Sequence, residues 1–193
     1  MARPREFDTT EALTQAMDVF WSKGYEATSL CDLLCAMDIS KSSFYDTFGS
    51  KHDVFLATID HYRKTVTAQV SAVAGVDAPA RKLIESMFEK AACRMTEEGG
   101  KRGCYLNNCA VEMALTDPEA AKRINKGIRI MEETFLSLVE RGQADGDIGS
   151  DLDAHSLARF LTSSLNGMMV IGKANPDREA LFDIARTALT VLD

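Results

Sequence analysis

Residues 29–51 read SLCDLLCAMDISKSSFYDTFGSK. Two short segments with helical apolar spacing flank a tight break at Met37-Asp38-Ile39. Ser29 (or Thr28 before it) and Ser40 each precede one of these segments, and a serine there accepts from the first free N–H groups of a helix. Two short helices joined by a turn of three or four residues make a helix-turn-helix. In that motif the second helix lays its N-terminal residues against base edges in the major groove. Here those residues are Lys41, Ser42 and Ser43, a first turn bare of apolar groups. Phe44 and Phe48, at i and i+4, face inward, and Tyr45 beside them can bring its hydroxyl to a phosphate. The competing reading is a small helical domain whose hydroxyls only cap helices. The stretch holds three acids (Asp32, Asp38, Asp46) against two bases (Lys41, Lys51), so any grip on DNA has to come from something other than net charge.

The rest of the chain also reads as helix. Asp8 with Glu11 forms a candidate capping box, and Leu13, Met17 and Phe20 share a face until Gly24. Ser50 with Asp53 opens a long helix with Phe55, Ile59, Tyr62, Val66, Val70 and Val73 on one side. Pro79 opens the next, which carries Leu83, Ile84, Met87, Phe88, Ala91 and Met95. A short helix runs from about Cys104 to Leu115. Thr116-Asp117-Pro118 stops it and starts another, with Pro118 at the first helical position. Asp153 caps an eighth helix, and Asn175-Pro176 opens a ninth. Alternating strand patterns are nearly absent. The expected class is all-α with about nine helices. A three-helix unit with the helix-turn-helix would span residues 1–52, and a ligand-binding and dimerisation domain residues 53–193.

Bulk properties narrow the function. At 193 residues with 46% hydrophobic content the chain can bury a core, and a net charge of −7 argues against a generally basic nucleic-acid coat. The N-terminus has no apolar signal region and no apolar run reaches a membrane span, so the expected compartment is the cytoplasm, with no membrane partner. Five cysteines (31, 35, 93, 104 and 109) form no CxxC pair. They describe neither a disulfide framework nor a zinc knuckle. The three histidines lack metal-ligand spacing, and no GxSxG, Walker or GxGxxG element is present. No cofactor, metal site or catalytic constellation is expected, and the chain is not expected to be an enzyme.

RPREFD, FWSKGYEATSL, DLLCAMDISKSSFYDTFGSK and HDVF, in this order and spacing, resemble the N-terminal domain of the TetR family over about residues 3–56. GCYLNN adds a shorter likeness. The resemblance implies a homodimeric transcriptional regulator, most often a repressor, that is released from double-stranded operator DNA by a small-molecule effector. It also implies that Lys41, Ser42 and Ser43 read bases, and that Thr28, Tyr45 and Lys51 contact phosphate. Arg3 and Arg5 would add charge in the minor groove. Asp38 stands where the family's turn commonly has Gly, and Asp46 where a neutral residue or His is usual. Over residues 1–64 seven bases face ten acids, a net of −3. That predicts weak non-specific DNA affinity.

The C-terminal half offers weaker signals. CYLNNCAVEMAL sets Asn107, Asn108 and Glu112 among apolar residues, as a ligand pocket requires; solvent-facing or backbone-capping roles are equally open. Phe88, Asn108, Glu112 and Cys104 are the pocket candidates. Cys104 follows Lys101 and Arg102 at a helix start, a setting that activates thiols. An alternative regulator would therefore sense electrophiles or oxidants there, although a small buried hydrophobe is the usual fate of cysteine. Cys31 and Cys35, at i and i+4 on the second helix, are expected to fill small core sites between helices, with metal or redox use as the alternative. For the dimer, Leu157, Leu161, Leu165 and Met168 form a stripe on helix eight, with Gly167 permitting close approach. Leu181, Ile184 and Ala188 form another on helix nine. Packing within one chain is the alternative for both stripes. A helical carrier or enzyme without a DNA role is the remaining reading.

Overall fold

The computed structural model describes residues 7–193; Arg3 and Arg5 lie outside the described residues. Among these, nine α-helices and two short 3-10 turns account for the regular structure, with no strand. The helices are α1 (Thr9–Lys23), α2 (Leu30–Met37), α3 (Lys41–Phe48), α4 (Lys51–Ala74), α5 (Ala80–Thr96), α6 (Tyr105–Met113), α7 (Pro118–Asp145), α8 (Ala154–Ala174) and α9 (Arg178–Leu189). Their starts follow local chemistry. Asp8, Ser29, Ser40, Asp153 and Asp177 are N-caps whose side chains accept from backbone N–H groups one turn in. Ser29 and Asp32 complete a reciprocal capping box. Asp38 ends α2 in the left-handed conformation at φ 51°, a position glycine usually takes.

Contacts divide the chain into two compact units. Among the described residues, one comprises 7–65 together with Asn108–Ile124; the other comprises Val66–Asn107 and Asn125–Asp193. The sequence-distant piece joins the first unit for physical reasons. Both carboxylate oxygens of Glu112 accept backbone N–H groups, from Tyr25 and Glu26, each at 2.9 Å. Asp117 caps the start of α7 through the N–H groups of Glu119 and Ala120, and its other oxygen meets His52 Nε2 at 2.7 Å. Partial burial pushes the Asp117 carboxyl up, but the Ala120 N–H, His52 and the Glu119 N–H outweigh it and hold the group below the usual range. Arg123 reaches Asp60, which also holds Arg63 at 3.1 Å. The core of this unit is aromatic: Phe20, Tyr25 and Phe55 cluster, and Trp21 meets Tyr62 edge-on at 5.2 Å.

In the second unit α5 packs against α8 and α9, and α8 against α9. Leu83, Ile84, Phe88, Ala92 and Met95 supply the α5 face, with Ala92 in the place expected of Ala91. Gly172 lets α8 approach closely, since a Cβ there would stand 3.1 Å from Met95 and 3.2 Å from Leu181. No helix among the described residues is long and apolar enough to cross a membrane.

Candidate DNA-binding site

Helix α3 has one buried side chain, Phe44, with the half-buried Phe48 packing beside it and against Phe7. Phe44 is wholly buried, packed edge-on with Tyr45 at 5.5 Å and tilted against Phe48 at 5.9 Å. The remaining faces of α3 are free to carry polar groups. Lys41 and Ser42 are exposed and Ser43 is half-buried. Ser43 shares its hydroxyl with the Ser40 cap at 2.9 Å. Tyr45 is 46% exposed, and its ring packs edge-on against Phe44. Lys51 sits over the Tyr25 ring, 4.3 Å from its centroid, which fixes the ammonium at the start of α4. Thus Lys41, Ser42, Ser43, Tyr45 and Lys51 all fall on or just after α3 with some surface available.

Thr28 departs from expectation. It is 1% exposed, and its hydroxyl donates to the Gly24 carbonyl at 2.6 Å, so it braces the turn. Ser29, the true cap of α2, is the exposed hydroxyl at that point.

The acids of the motif are each given local work. Lys23, together with the Ser29 N–H and hydroxyl, holds Asp32 well below the usual carboxylate range. Asp53 accepts the Ser50 hydroxyl at 2.5 Å. Asp46 accepts the Ser42 hydroxyl at 3.3 Å, one turn along α3. Asp38 occupies the turn. The starts of α2, α3 and α4, meanwhile, present N–H groups and a partial positive charge. An acidic stretch can therefore still offer a docking surface of hydroxyls, lysines and helix ends.

Two sets of expectations for the C-terminal half change. Both oxygens of Glu112 accept the Tyr25 and Glu26 N–H groups, a backbone-bracing role; sequence spacing gives no hint of partners 86 and 87 residues away. Phe88 is 0% exposed against Phe135, a core position. Cys104 is buried in the second unit, while Asn108 belongs to the first and is half-buried.

The dimer stripes change more. Leu157, Leu161, Leu165, Met168, Leu181 and Ala188 are all buried within one chain, and Ile184 is half-buried. The most apolar stripe of α8 is thus its core face. A second stripe faces outward: Phe160, Val170 and Ile171 are 45%, 53% and 48% exposed. They share a side of the helix with Gly167, where an added Cβ would meet nothing within 4 Å. Nothing inside the chain requires glycine there.

Comparison with known proteins agrees with this geometry. Residues 12–58 match the model of bacterial regulatory proteins of the tetR family, and residues 80–189 match the tetracyclin repressor-like C-terminal domain. The uncharacterised HTH-type transcriptional regulator YezE of Bacillus subtilis is 33% identical over the full length of both chains. The HTH-type transcriptional repressor ComR of Escherichia coli is 30% identical, covering 97% of this chain and 90% of its own. Among solved structures, a cysteine mutant of the TetR family transcriptional regulator CifR, complexed with 26-bp double-strand operator DNA, superposes with a TM-score of 0.87. It is 32% identical, covering 99% of this chain and all of the other. The chain belongs to the TetR family of helix-turn-helix transcriptional regulators.

Proposed function

We propose that the protein is a homodimeric repressor that binds a near-palindromic operator through α3 and leaves it when a small molecule occupies the C-terminal unit. The observation that carries this reading is the construction of α3: one buried phenylalanine holds it, and its first turn offers Lys41, Ser42 and Ser43 with no competing apolar group. Base edges in a major groove are what such a turn reads. Tyr45, Lys51 and the exposed Ser29 supply phosphate contacts, which set register but carry no sequence information. The operator complex of CifR, a relative of nearly the same length, supports the same use of α3 here.

The test separates base reading from phosphate anchoring. Tyr45→Phe and Lys51→Ala should weaken binding to matched and mismatched operators alike. Ser42→Ala and Lys41→Ala should narrow the gap between matched and mismatched sites by about 1–3 kcal/mol for each base-specific hydrogen-bonded pair removed. Unchanged affinity in all four, by gel shift at fixed salt, rejects the assignment.

Dimerisation is assigned to the outward α8 face with Phe160, Gly167, Val170 and Ile171. Two such faces related by a two-fold axis make a self-complementary contact. An aromatic at the centre of an interface is commonly worth about 2 kcal/mol or more, roughly thirtyfold in dissociation constant. Phe160→Asp is therefore expected to move the protein toward monomer in sedimentation while leaving its helical circular dichroism intact. A dimer of unchanged affinity would move the interface elsewhere.

Release follows from differential affinity of the effector for two arrangements of the dimer, only one of which spaces the α3 helices for successive grooves. The burial of Cys104 and Cys109 favours a non-covalent effector over a thiol signal at those positions.

A further inference from the structure

Cys31 and Cys35 do not fill core sites between helices, as their size suggests; both are exposed on α2. Cysteine outside disulfides is among the most buried residue types, so two exposed thiols on one eight-residue helix are out of pattern. Their spacing of four puts them on the same face, with Cβ atoms about 5–6 Å apart. The core face of α2, with Leu33 and Met37 buried, lies on the other side of the helix. The sulfurs therefore share open surface that internal packing does not need.

The surroundings restrict what this pair can hold. The nearest acid in sequence, Asp32, is taken by Lys23 at 2.6 Å and by the Ser29 N–H at 2.9 Å. Among the described residues no cluster of three or more His, Cys, Asp or Glu is arranged to hold a metal ion. Zinc, which wants four such donors, and the hard cations, which want oxygen, are poorly served. A soft centre satisfied by two thiolates is well served.

We propose that Cys31 and Cys35 form a dithiol site for soft thiophilic species that close on two sulfurs, with monosubstituted trivalent arsenicals as the type. The step balances without redox chemistry. An arsenoxide R–As=O and two thiols give R–As(S–Cys)2 and one water; two S–H bonds and the As–O bonds break, two As–S bonds form, and the oxygen leaves with both protons. Arsenic stays trivalent throughout. The regulatory consequence rests on the DNA reading above. Cys31 lies two residues after Ser29, in the first turn of α2, where that reading places a phosphate. An organoarsenical bridging from Cys31 to Cys35 would occupy that space and lower operator affinity.

The probe is phenylarsine oxide, with adducts counted by intact mass and operator affinity followed by fluorescence anisotropy on the full-length protein. One equivalent should add to the wild type with loss of two titratable thiols, and 1,2-ethanedithiol should reverse it where 2-mercaptoethanol does not. Cys31→Ser and Cys35→Ser, both exposed substitutions, should each abolish the adduct. Cys104→Ala/Cys109→Ala should retain it. Operator affinity should fall at least tenfold on loading in the wild type, and in no variant that lacks Cys31 or Cys35. A full adduct in Cys31→Ser/Cys35→Ser, or its loss in Cys104→Ala/Cys109→Ala with native circular dichroism, overturns the site. An adduct at Cys31 and Cys35 with unchanged affinity overturns the regulatory consequence. Failure of the untreated protein to bind any operator would reject the DNA reading, and the adduct count would then decide the site by itself.

Discussion

Replacing Phe44 with alanine is expected to destabilise the N-terminal unit by about 3–5 kcal/mol, the usual cost of emptying an aromatic site in a core. Phe44 is wholly buried and is the single buried residue of α3. No second side chain on that helix is positioned to take over its burial; Phe48, its ring neighbour, is only half-buried. At about 2–4 °C per kcal/mol for a chain of this size, the thermal midpoint should drop by several degrees to well over ten. Amide exchange should show α3 losing protection first, because the cavity lies beneath it. Operator binding should disappear with it. Ser42→Ala, on the exposed side of the same helix, should stay within about 0.5 kcal/mol of wild type in stability while altering base preference. A Phe44→Ala protein with an unchanged midpoint would mean α3 is held by something other than this ring.

The second large effect is expected at Gly24. Its backbone sits at φ 84°, ψ 170°, a region open essentially to glycine alone. An alanine Cβ there would also stand 2.9 Å and 3.0 Å from the two carboxylate oxygens of Glu112. The backbone conformation alone costs about 1–3 kcal/mol. Displacing Glu112 adds the loss of two charge-assisted hydrogen bonds, discounted because the carboxylate is exposed. A total of about 2–4 kcal/mol is expected from chemical denaturation. Because part of that cost is a collision with one side chain, Gly24→Ala should cost less in a Glu112→Ala background. The coupling should be about 0.5–3 kcal/mol, the range for residues in contact. Strict additivity would show that Glu112 and the Gly24 turn act independently.

These two positions mark where sequence reading succeeds and where it stops. Helix ends are legible because their chemistry is local: Asp8, Ser29, Ser40 and Asp153 cap within one turn, and Asp38 takes the left-handed turn its short polar side chain tolerates. The polar first turn of α3 is legible for the same reason. Periodicity alone does not say which of two apolar stripes on α8 faces the core. The richer one, Leu157 to Met168, resembles an interface because it is the stronger, and it is buried for that same reason. Thr28 resembles a surface contact because a threonine before a helix looks the same in sequence whether its hydroxyl faces out or back to Gly24. Size is a poor guide to Cys31 and Cys35, since a small thiol fits a core site and a bare surface equally well. Glu112 is beyond the reach of the sequence, since nothing within its own helix signals a partner in the turn after α1. Asp46, hard to place on the sequence, accepts the Ser42 hydroxyl one turn earlier in α3.

The discontinuous N-terminal unit also bears on the order in which the chain matures. Its first 65 residues leave the ribosome well before Glu112, Asp117 and Arg123, the residues that hold the Tyr25–Glu26 turn, His52 and Asp60. At roughly 5–20 residues per second, the nascent helix-turn-helix waits seconds for that brace. During the wait the aromatic contacts among Phe20, Tyr25 and Phe55 can form, but those of Glu112, Asp117 and Arg123 cannot. The first unit is thus complete only after part of the second, Val66–Asn107, has been synthesised.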